Sequence, residues 1–307
     1  MSLGIPYMGS KRKLSGEILK FITSRHENIT DFYDLFGGGG AVSFKAIKDY
    51  RFNVHYNELN SHIFELIKYL KDNKTLEPKF YEWVTREKFF EQINKTDADW
   101  YSGFVMSCWS FGNSQNSYLY GADIEEIKRL AHEFIVNSDL EAMAKLELNI
   151  PELLEIKNIQ KRRVVFCKYI EDYTKNRFDL QNLERLSLLE SLARLQNFQN
   201  LQNLQNLQLT NNSYQDVIIK GENPIIYCDI PYKGTEEYKE GGFDHESFYK
   251  WVNDIKHPVY ISEYDSPFKE VMAFKHRSSL SATNNKRQTI EKIYWNCKGN
   301  VFETKLF

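Results

Sequence analysis

The chain has 307 residues, of which 42% are hydrophobic and 27% are charged, and its formal net charge is −2. These proportions are typical of a globular protein, and the length allows one α/β domain with a large insertion, or two small domains. The charge gives no support to nucleic-acid binding by the chain as a whole, although binding needs only a basic face. No apolar run is long enough to span a bilayer, and no basic start followed by an apolar stretch marks a signal peptide, so we expect a cytoplasmic protein without a membrane association.

The four cysteines, Cys108, Cys167, Cys228 and Cys297, are isolated along the chain. None lies in a CxxC pair, and no histidine has zinc-ligand spacing from one of them. They are predicted to be small buried thiols, so neither a metal site nor a disulfide is expected.

The N-terminal part alternates helices and strands. Apolar residues at helical spacing predict helices at 13–23, 41–50 and 63–70, and short apolar runs predict strands at 32–36 and 53–57. Strands that alternate with helices imply a parallel sheet. Residues 1–74 are therefore predicted to form the first part of a Rossmann-like α/β domain.

The same alternation returns after residue 213. Strands are predicted at 225–229 and 259–262, a helix at 243–255 and an edge strand at 301–306. Between the two parts, residues 75–212 are helix-rich and lack the alternation. We therefore expect one α/β domain made of residues 1–74 and 213–307, with residues 75–212 inserted as a mainly helical lobe.

Within the insertion, Leu or Phe recurs at every third position from Leu183 to Leu207. A period of three fits neither an α-helix, with about 3.6 residues per turn, nor a strand. The last residues match the core of a leucine-rich repeat, but such repeats are about 20–29 residues long, so we reject that fold. We interpret the stretch as a low-complexity helix or coil packed against the lobe, with a self-association surface as the alternative.

Four glycines, Gly37 to Gly40, follow the strand predicted at 32–36. A strand, a glycine turn and a helix form the unit in which a Rossmann-like domain holds a nucleotide-bearing cofactor, because backbone without Cβ can approach a ligand closely. Glu58 follows the second strand, about 20 residues further on, where an acid can accept hydrogen bonds from ribose hydroxyls. Together they predict an adenosine-type cofactor, and the missing GxxxxGK[ST] pattern argues against a nucleoside triphosphate.

The segment from Tyr7 to Lys11 reads Tyr-Met-Gly-Ser-Lys and precedes the first predicted helix. A Gly-Ser-Lys turn at a helix start can hold a carboxylate through backbone N–H groups, the helix dipole and the ammonium. The methionine part of S-adenosylmethionine carries such a carboxylate. A polar loop with a solvent-facing lysine explains the segment equally well.

The apolar run at 225–228 ends on Asp229, and Ile230, Pro231 and Tyr232 follow. A carboxylate, a backbone carbonyl and an aromatic ring are thereby presented together at the carboxyl end of a strand. Hydrogen bonds from the amine of adenine to Asp229 and to the Ile230 carbonyl would localise the nitrogen lone pair for attack on a sulfonium methyl group, while Tyr232 stacks on the base. Alone this motif could be a plain β-turn, but together with the glycine run it predicts a nucleic-acid base methyltransferase.

The chain resembles the Dam-type, adenine-specific DNA methyltransferases, in particular their phage and orphan members, in two blocks that flank the insertion. The resemblance is carried by Tyr-x-Gly-Ser-Lys at Tyr7, Gly9, Ser10 and Lys11, by Asp-x-Phe-x-Gly-x-Gly at Asp34, Phe36, Gly38 and Gly40, by an acid and Asn at Glu58 and Asn60, and by Asp-Pro-Pro-Tyr at Asp229, Ile230, Pro231 and Tyr232. Ile230 departs from the usual proline. The turn is then less rigid, but the accepting carbonyl is a backbone group and is kept.

This resemblance implies transfer of a methyl group from S-adenosylmethionine to adenine N6 of a flipped base in double-stranded DNA. Asp229 to Tyr232 would form the catalytic turn, and the cofactor would be held by Tyr7, Lys11, Asp34, Phe36, Gly38, Gly40, Glu58, Asn60 and Asp229. The insertion would be the target-recognition lobe, with Phe111, Asn113 and Tyr118 near the DNA. We expect a monomer, and a companion restriction endonuclease is an open possibility.

Basic residues are concentrated at 157–177, where Lys161, Arg162 and Arg163 are candidate phosphate contacts. A charge run of this kind is more often only a solvated helix face.

Three alternatives stay open. A methyltransferase for cytosine N4 or for an RNA base is the nearest, although enzymes of the cytosine type usually begin the turn with Ser and not with Asp229. A catalytically silent DNA-binding homologue is favoured by Ile230 and by the non-basic charge. The leucine stretch at 183–207 could instead serve as a protein-interaction scaffold.

Overall fold

The computed structural model describes residues 3–174, 189–199, 204, 206–233, 242–277 and 288–299. The chain divides into two compact units. The sheet unit comprises Lys11–Asn60 and Leu204–Phe307, and the helical unit comprises Met1–Ser10 and Ser61–Asn203.

In the part of the sheet unit that the structure describes, seven strands form one sheet. They are β1 (Asp31–Asp34), β2 (Asn53–Asn57), β3 (Leu207–Thr210), β4 (Pro224–Asp229), β5 (Val259–Glu263), β6 (Lys269–Arg277) and β7 (Gln288–Trp295). The order across the sheet is β3-β2-β1-β4-β5-β7-β6. Strands β1 to β5 run parallel, whereas β7 is antiparallel to both β5 and β6.

Ten α-helices lie in the described residues. In chain order they are α1 (Ser15–Thr23), α2 (Ala41–Asp49), α3 (Ser61–Asp72), α4 (Arg86–Ile93), α5 (Trp100–Cys108), α6 (Ala122–Asn137), α7 (Leu140–Lys145), α8 (Ile159–Thr174), α9 (Glu190–Gln199) and α10 (His245–Asp254). Helices α1, α2 and α10 belong to the sheet unit, and the other seven belong to the helical unit. The predicted α/β, Rossmann-like fold with a helical lobe is confirmed.

The central strands are buried on both faces, which explains why they are continuous apolar runs in the sequence. All four residues of β1 and all five of β5 are buried. Ile226 and Cys228 of β4 join Phe248 and Val252 of α10 in one apolar cluster. This cluster fixes the position of β4 and therefore of the turn that follows it.

Four helices (α1, α2, α3 and α10) and four strands (β1, β2, β4 and β5) were predicted, with small differences at their ends, whereas β6 and β7 were not. The strand predicted at 53–57 is β2, and the helix predicted at 41–50 is α2. The helix predicted at 243–255 begins two residues later, because Asp244 is its N-cap and accepts a hydrogen bond from the Ser247 N–H. The edge strand predicted at 301–306 lies outside the described residues.

Strand β3 was not predicted. Its residues were assigned to the inserted lobe, but they pair with β2 in the register Val54↔Leu207. Polar groups hold its end: the Thr210 hydroxyl donates to Asn57 Oδ1 (2.8 Å), and the Asn211 amide donates to the Glu58 carbonyl. The structure thus places these residues in the sheet unit, contrary to the predicted boundary at residue 212.

The helical unit also begins earlier than the predicted boundary at residue 75. Helix α3 packs against α5 at Gly103, where an added Cβ would lie 2.1 Å from the carbonyl oxygen of His62. Only glycine permits this approach of two backbones. Because α3 is packed in this way, the unit starts at Ser61.

The leucine stretch forms two kinds of element. Leu192, Leu195 and Phe198 are buried on α9, and Leu207 starts β3. On a helix a period of three drifts by about 60° per step, so three such residues still share one apolar face of about 100° or more. The helix-or-coil interpretation is confirmed for α9 and is wrong for Leu207; residues 183–188, 200–203 and 205 lie outside the described residues.

Three of the cysteines, Cys108, Cys167 and Cys228, are buried as predicted, whereas Cys297 is exposed. Among the helices that the structure describes, none combines the length and the apolar composition that crossing a membrane requires.

Replacing Leu192 by Ala should destabilise the protein by about 2–5 kcal/mol, because this side chain is 1% exposed and its removal leaves a cavity. Leu140→Ala is the matched control in the same unit, since Leu140 is 50% exposed. Urea unfolding of the two variants measures the difference. Equal midpoints would contradict the burial of α9.

Candidate active site

The carboxyl ends of four parallel strands meet at one edge of the sheet, and an acidic residue stands at each end. These are Asp34 of β1, Glu58 directly after β2, Asp229 of β4 and Glu263 of β5. From β1 the chain continues to β2 and β3 on one side of the sheet, and from β4 it continues to β5 on the other side. The switch point of the topology therefore lies between β1 and β4. Ligands of open α/β sheets bind in this crevice.

The glycine turn after β1 is tied to the end of β2. The Gly38 N–H donates to Glu58 Oε2 (2.7 Å), and the Asn60 N–H donates to Glu58 Oε1 (2.8 Å). The Tyr56 hydroxyl donates to the Gly38 carbonyl (2.7 Å). Glu58 is 7% exposed, and burial raises its pKa. The Leu59 backbone N–H also interacts with this carboxylate, so three of its four acceptor positions are used and one remains for a hydroxyl of a ligand.

Packing within the unit explains two of the four glycines. A Cβ at Gly37 would lie 2.2 Å from the Tyr56 ring. Gly40 has φ +73°, and a Cβ there would lie 2.3 Å from the Phe44 ring. The expectation that these glycines serve the approach of a ligand is therefore too simple, since the turn needs them even without one.

Asp34 and Phe36 were predicted to contact the cofactor, and the structure gives both an internal role. Asp34 is 1% exposed and accepts a hydrogen bond from the Ser43 hydroxyl (2.7 Å) in the first turn of α2. Phe36 packs its ring against Tyr214 and Phe243, each at 5.5 Å between centroids. Both side chains hold the glycine turn in place.

An ion triad with a buried lysine lies at the turn formed by Asp229 to Tyr232. Lys11 Nζ lies 2.7 Å from Asp229 Oδ1 and 2.9 Å from Glu291 Oε1, and Lys11 is 6% exposed. The Tyr232 hydroxyl donates to the same Glu291 oxygen (2.6 Å). We call Lys11, Asp229 and Glu291 the ion triad.

Burial acts on both signs of charge in the ion triad. By itself it would lower the pKa of Lys11, but the Asp229 and Glu291 carboxylates outweigh it, and the pKa lies above its ordinary value. Burial raises the pKa of Asp229 to about 6, although Lys11 opposes the rise. Asp229 is therefore an anion at neutral pH, and it can accept hydrogen bonds.

The triad changes the role expected for Lys11. The sequence predicted that its ammonium holds a cofactor carboxylate, whereas two protein carboxylates hold it in the structure. A cofactor carboxylate would have to compete with both. Tyr7 is half-buried and belongs to the N-terminal segment of the helical unit, where its carbonyl accepts a hydrogen bond from the Ser10 N–H (3.4 Å).

Ile230 is anchored by its side chain. It is 2% exposed and belongs to the apolar cluster of Phe248 and Val252. Burying a side chain of this size contributes about 1.5–3 kcal/mol. The expectation that Ile in place of Pro loosens the turn is thus offset by packing that a proline ring would not provide in the same way.

The sequence analysis gave Glu263 and Glu291 no part in the site. Glu263 was detectable, because an apolar strand that ends on an acid repeats the pattern of Asp229. Glu291 had no local signal. It reaches the site because β7 is antiparallel to β5, with Glu263 opposite Lys292.

The residues predicted to meet nucleic acid differ widely in exposure. Phe111 is 67% exposed, Lys161 is exposed, and Asn113 and Arg163 are half-buried.

Tyr118 and Arg162 are buried in the helical unit. Tyr118 is 6% exposed and donates to the Val84 carbonyl (2.7 Å). Arg162 is 5% exposed and donates to the Ile135 carbonyl (2.7 Å). A DNA contact is not supported for these two side chains, because both serve packing of the unit.

Asp34→Asn should flatten the pH dependence of stability. Burial raises the pKa of Asp34 from 3.8 to about 7. The folded state therefore keeps a proton that the unfolded state loses, and the stabilisation from this group is lost as pH rises through that window. Denaturant unfolding from pH 4 to 8 should show a shallower decline in the variant, whereas the exposed Asp216→Asn should match the parent. An unchanged slope in Asp34→Asn would contradict this assignment.

Comparison with known families agrees with this geometry. The family model for D12 class N6 adenine-specific DNA methyltransferases matches residues 7–294, nearly the whole chain. No curated protein matches the chain at a significant level. The resemblance read from the motifs is confirmed, and with it a reaction on adenine N6 of DNA. The chain belongs to the D12 class N6 adenine-specific DNA methyltransferases.

Proposed function

We propose that the protein transfers the methyl group of S-adenosylmethionine to adenine N6 in double-stranded DNA, with the reaction at the carboxyl edge of the sheet. The observation that carries the proposal is the Asp229 carboxylate, held by Lys11 at 2.7 Å beside the switch point between β1 and β4. Membership of the family already covers a reaction on adenine N6 of DNA. The methyl donor, the double-stranded form of the DNA and the roles of single residues are what we propose in addition.

The residues around the glycine turn fit S-adenosylmethionine. Glu58 is a buried acid with one acceptor position left for a ribose hydroxyl. Leu59 beside it is 71% exposed, an apolar surface against which a base can pack. When bound, the cofactor supplies a methyl group activated by a positively charged sulfur. We therefore assign Glu58 and Asn60 to the binding of S-adenosylmethionine.

Asp229 has two tasks at the reacting nitrogen. Its carboxylate and the Ile230 carbonyl accept the two N–H groups of adenine, which directs the nitrogen lone pair out of the ring. When the nitrogen gains the methyl group it must release a proton, and Asp229 is placed to take it. Lys11 keeps this carboxylate ionised until then, although it shares its single positive charge with Glu291.

Tyr232 supports the base by its ring. Its hydroxyl is engaged by Glu291, and its ring meets that of Tyr264 edge-on at 4.6 Å between centroids. The ring orientation is therefore set before a base arrives, which reduces the entropy lost on binding.

We assign DNA contacts to the helical unit. Phe111 lies at a turn closed by the Ser110↔Tyr118 bridge, and its large side chain is mostly exposed. A base must leave the stack for its amine to react, and an exposed aromatic ring can occupy the space it leaves. Lys161 and Arg163 are candidate phosphate contacts.

The silent homologue is the second candidate, favoured by Ile230 in place of proline. The anchored side chain of Ile230 weakens this argument, because the turn is held by the core. The start on Asp229 continues to disfavour cytosine N4. The cytoplasmic location, the monomeric state and a companion restriction endonuclease stay predictions of the sequence.

Asp229→Asn should lower methyl transfer by about 10²-fold or more, because an amide cannot supply a charged acceptor or take the proton. Methyl incorporation from labelled S-adenosylmethionine into unmethylated DNA measures the rate, and calorimetry measures cofactor binding. The exposed Asp254→Asn is the control. In the parent protein the rate should fall as pH drops below about 6, following the pKa of Asp229. A variant rate equal to the parent's would overturn the role.

Phe111→Ala should weaken DNA binding about tenfold, as expected for loss of one aromatic contact to a base. Phe90→Ala is the matched control, since Phe90 is 42% exposed on α4 of the same unit. Fluorescence anisotropy with a labelled duplex compares the two. If both variants bind like the parent, the turn at Phe111 is not a DNA contact.

A further inference from the structure

Tyr264 lies directly after β5, beside the turn formed by Asp229 to Tyr232. Strands β4 and β5 are parallel, with Asp229 opposite Ser262, so the two turns that follow them leave the sheet at the same edge. The rings of Tyr232 and Tyr264 meet edge-on, with 4.6 Å between their centroids and 72° between their planes. Aromatic rings prefer this geometry, because the positive edge of one ring meets the negative face of the other. Tyr264 is 40% exposed, so burial in the core does not explain where its ring lies.

The backbone of Tyr264 is held on both sides of its Cα. Its N–H donates to Glu263 Oε1 (2.7 Å), and its carbonyl accepts a hydrogen bond from the Tyr294 hydroxyl (3.1 Å). Glu263 is 0% exposed, and its other oxygen, Oε2, accepts a hydrogen bond from the Lys233 N–H (3.3 Å). One buried carboxylate thus connects the turns after β4 and β5. The Tyr264 ring therefore meets Tyr232 from a backbone that cannot shift freely.

Tyr232 keeps one internal rotation that its other contacts do not stop. Its backbone follows β4, and at the far end of the side chain its hydroxyl donates to Glu291 (2.6 Å). A tyrosine held at these two ends can still turn about the axis through Cβ and the hydroxyl oxygen, since neither atom moves in this rotation. A base stacks on an aromatic ring when the two planes are parallel. The rotation therefore decides whether the Tyr232 ring is ready to receive a base.

Two neighbours act on this rotation. Lys11 Nζ lies over the Tyr232 ring, 4.9 Å from its centroid, and a cation in this place favours a ring that turns its face toward it. The Tyr264 ring acts by direct contact, because any turn of the Tyr232 ring replaces the edge-on packing by an overlap or a gap.

We propose that Tyr264 is a positioning residue that sets the plane of the Tyr232 ring, and with it the plane in which the flipped adenine stacks. Asp229 and the Ile230 carbonyl receive the amine of that base only if its plane is correct. Tyr264 then acts on methyl transfer through Tyr232. This inference rests on the proposed function.

The rotation of the Tyr232 ring can be measured without DNA or cofactor. We would label the rings of the 19 tyrosines with ¹³C, assign the signal of interest by Tyr232→Phe, and obtain the rotation rate from ring relaxation and line shapes. Tyr264→Ala should let the ring turn about two- to tenfold faster, as expected for the loss of one edge-on ring contact. Tyr264→Phe keeps the ring and should match the parent. An unchanged rate in Tyr264→Ala would overturn the inference.

Kinetics test the consequence for the reaction. Methyl incorporation from labelled S-adenosylmethionine into unmethylated genomic DNA gives kcat and KM for each variant. Tyr264→Ala should lower kcat about tenfold, since loss of orientation at a reacting group can cost up to about 10²-fold in rate. The KM for DNA should change less than about twofold, because phosphate contacts dominate DNA affinity. Tyr264→Phe should restore kcat, and calorimetric binding of S-adenosylmethionine should be the same in all variants.

A loss of kcat that is equal in Tyr264→Ala and Tyr264→Phe, or a loss confined to KM, would overturn the role of Tyr264. The matched control is Tyr50→Ala. Tyr50 is half-buried, lies between α2 and β2 at the opposite edge of the sheet, and stacks on Phe52 at 5.2 Å between centroids. This variant also loses a ring contact, but it should keep the parent kcat and the parent rotation of Tyr232.

The two measurements separate this inference from the proposed function. If Tyr50→Ala changes kcat and the Tyr232 rotation as much as Tyr264→Ala does, the contact between Tyr232 and Tyr264 has no specific role and the inference fails. If the parent protein transfers no methyl group while Tyr264→Ala still frees the Tyr232 ring, the proposed function fails and the control of the ring plane stands.

Discussion

One ammonium group, that of Lys11, is shared by the carboxylates of Asp229 and Glu291 at the edge of the sheet. Charges removed from water are costly unless they are paired, and here two anions depend on one cation. Lys11 lies before helix α1, Asp229 ends β4 and Glu291 lies in β7, so the ion triad connects three separate parts of the chain. Because Tyr232 bonds to the same Glu291, the position of its ring also depends on this pairing.

The sheet brings these groups together by a simple rule of topology. Parallel strands end at one edge, so an acid at the end of each strand contributes to one surface. Four acids there would repel one another, and each is held by different partners. Asp34 is held by Ser43 in the first turn of α2, and Glu58 by backbone N–H groups. Asp229 is held by an ammonium group, and Glu263 by backbone N–H groups beside an imidazole ring. The edge is acidic in sequence, and in the structure each of these acids has its own hydrogen-bond or ion-pair partners.

The parts of the site that could be predicted from sequence are those encoded locally. Asp229 and Glu58 were found because an acid that follows a short apolar strand is visible within a few residues. Glu291 was not assigned, because its partners Lys11 and Tyr232 lie far away in sequence and meet it only through strand pairing. Tyr118 was assigned to DNA from the family resemblance, and a sequence motif cannot distinguish a buried ring from an exposed one.

Strand β3 comes from a sequence that nearly repeats itself every three residues, and a strand of this kind could pair with β2 in more than one way. Sliding by one repeat would bring Leu204 to the place of Leu207, an acceptable exchange for the core. The same slide would remove Thr210 from Asn57 and Asn211 from the Glu58 carbonyl. Thr210 and Asn211, which follow the repeat, therefore fix the register of β3 against β2. The number of leucines before them can vary while Glu58 keeps its position beside the glycine turn.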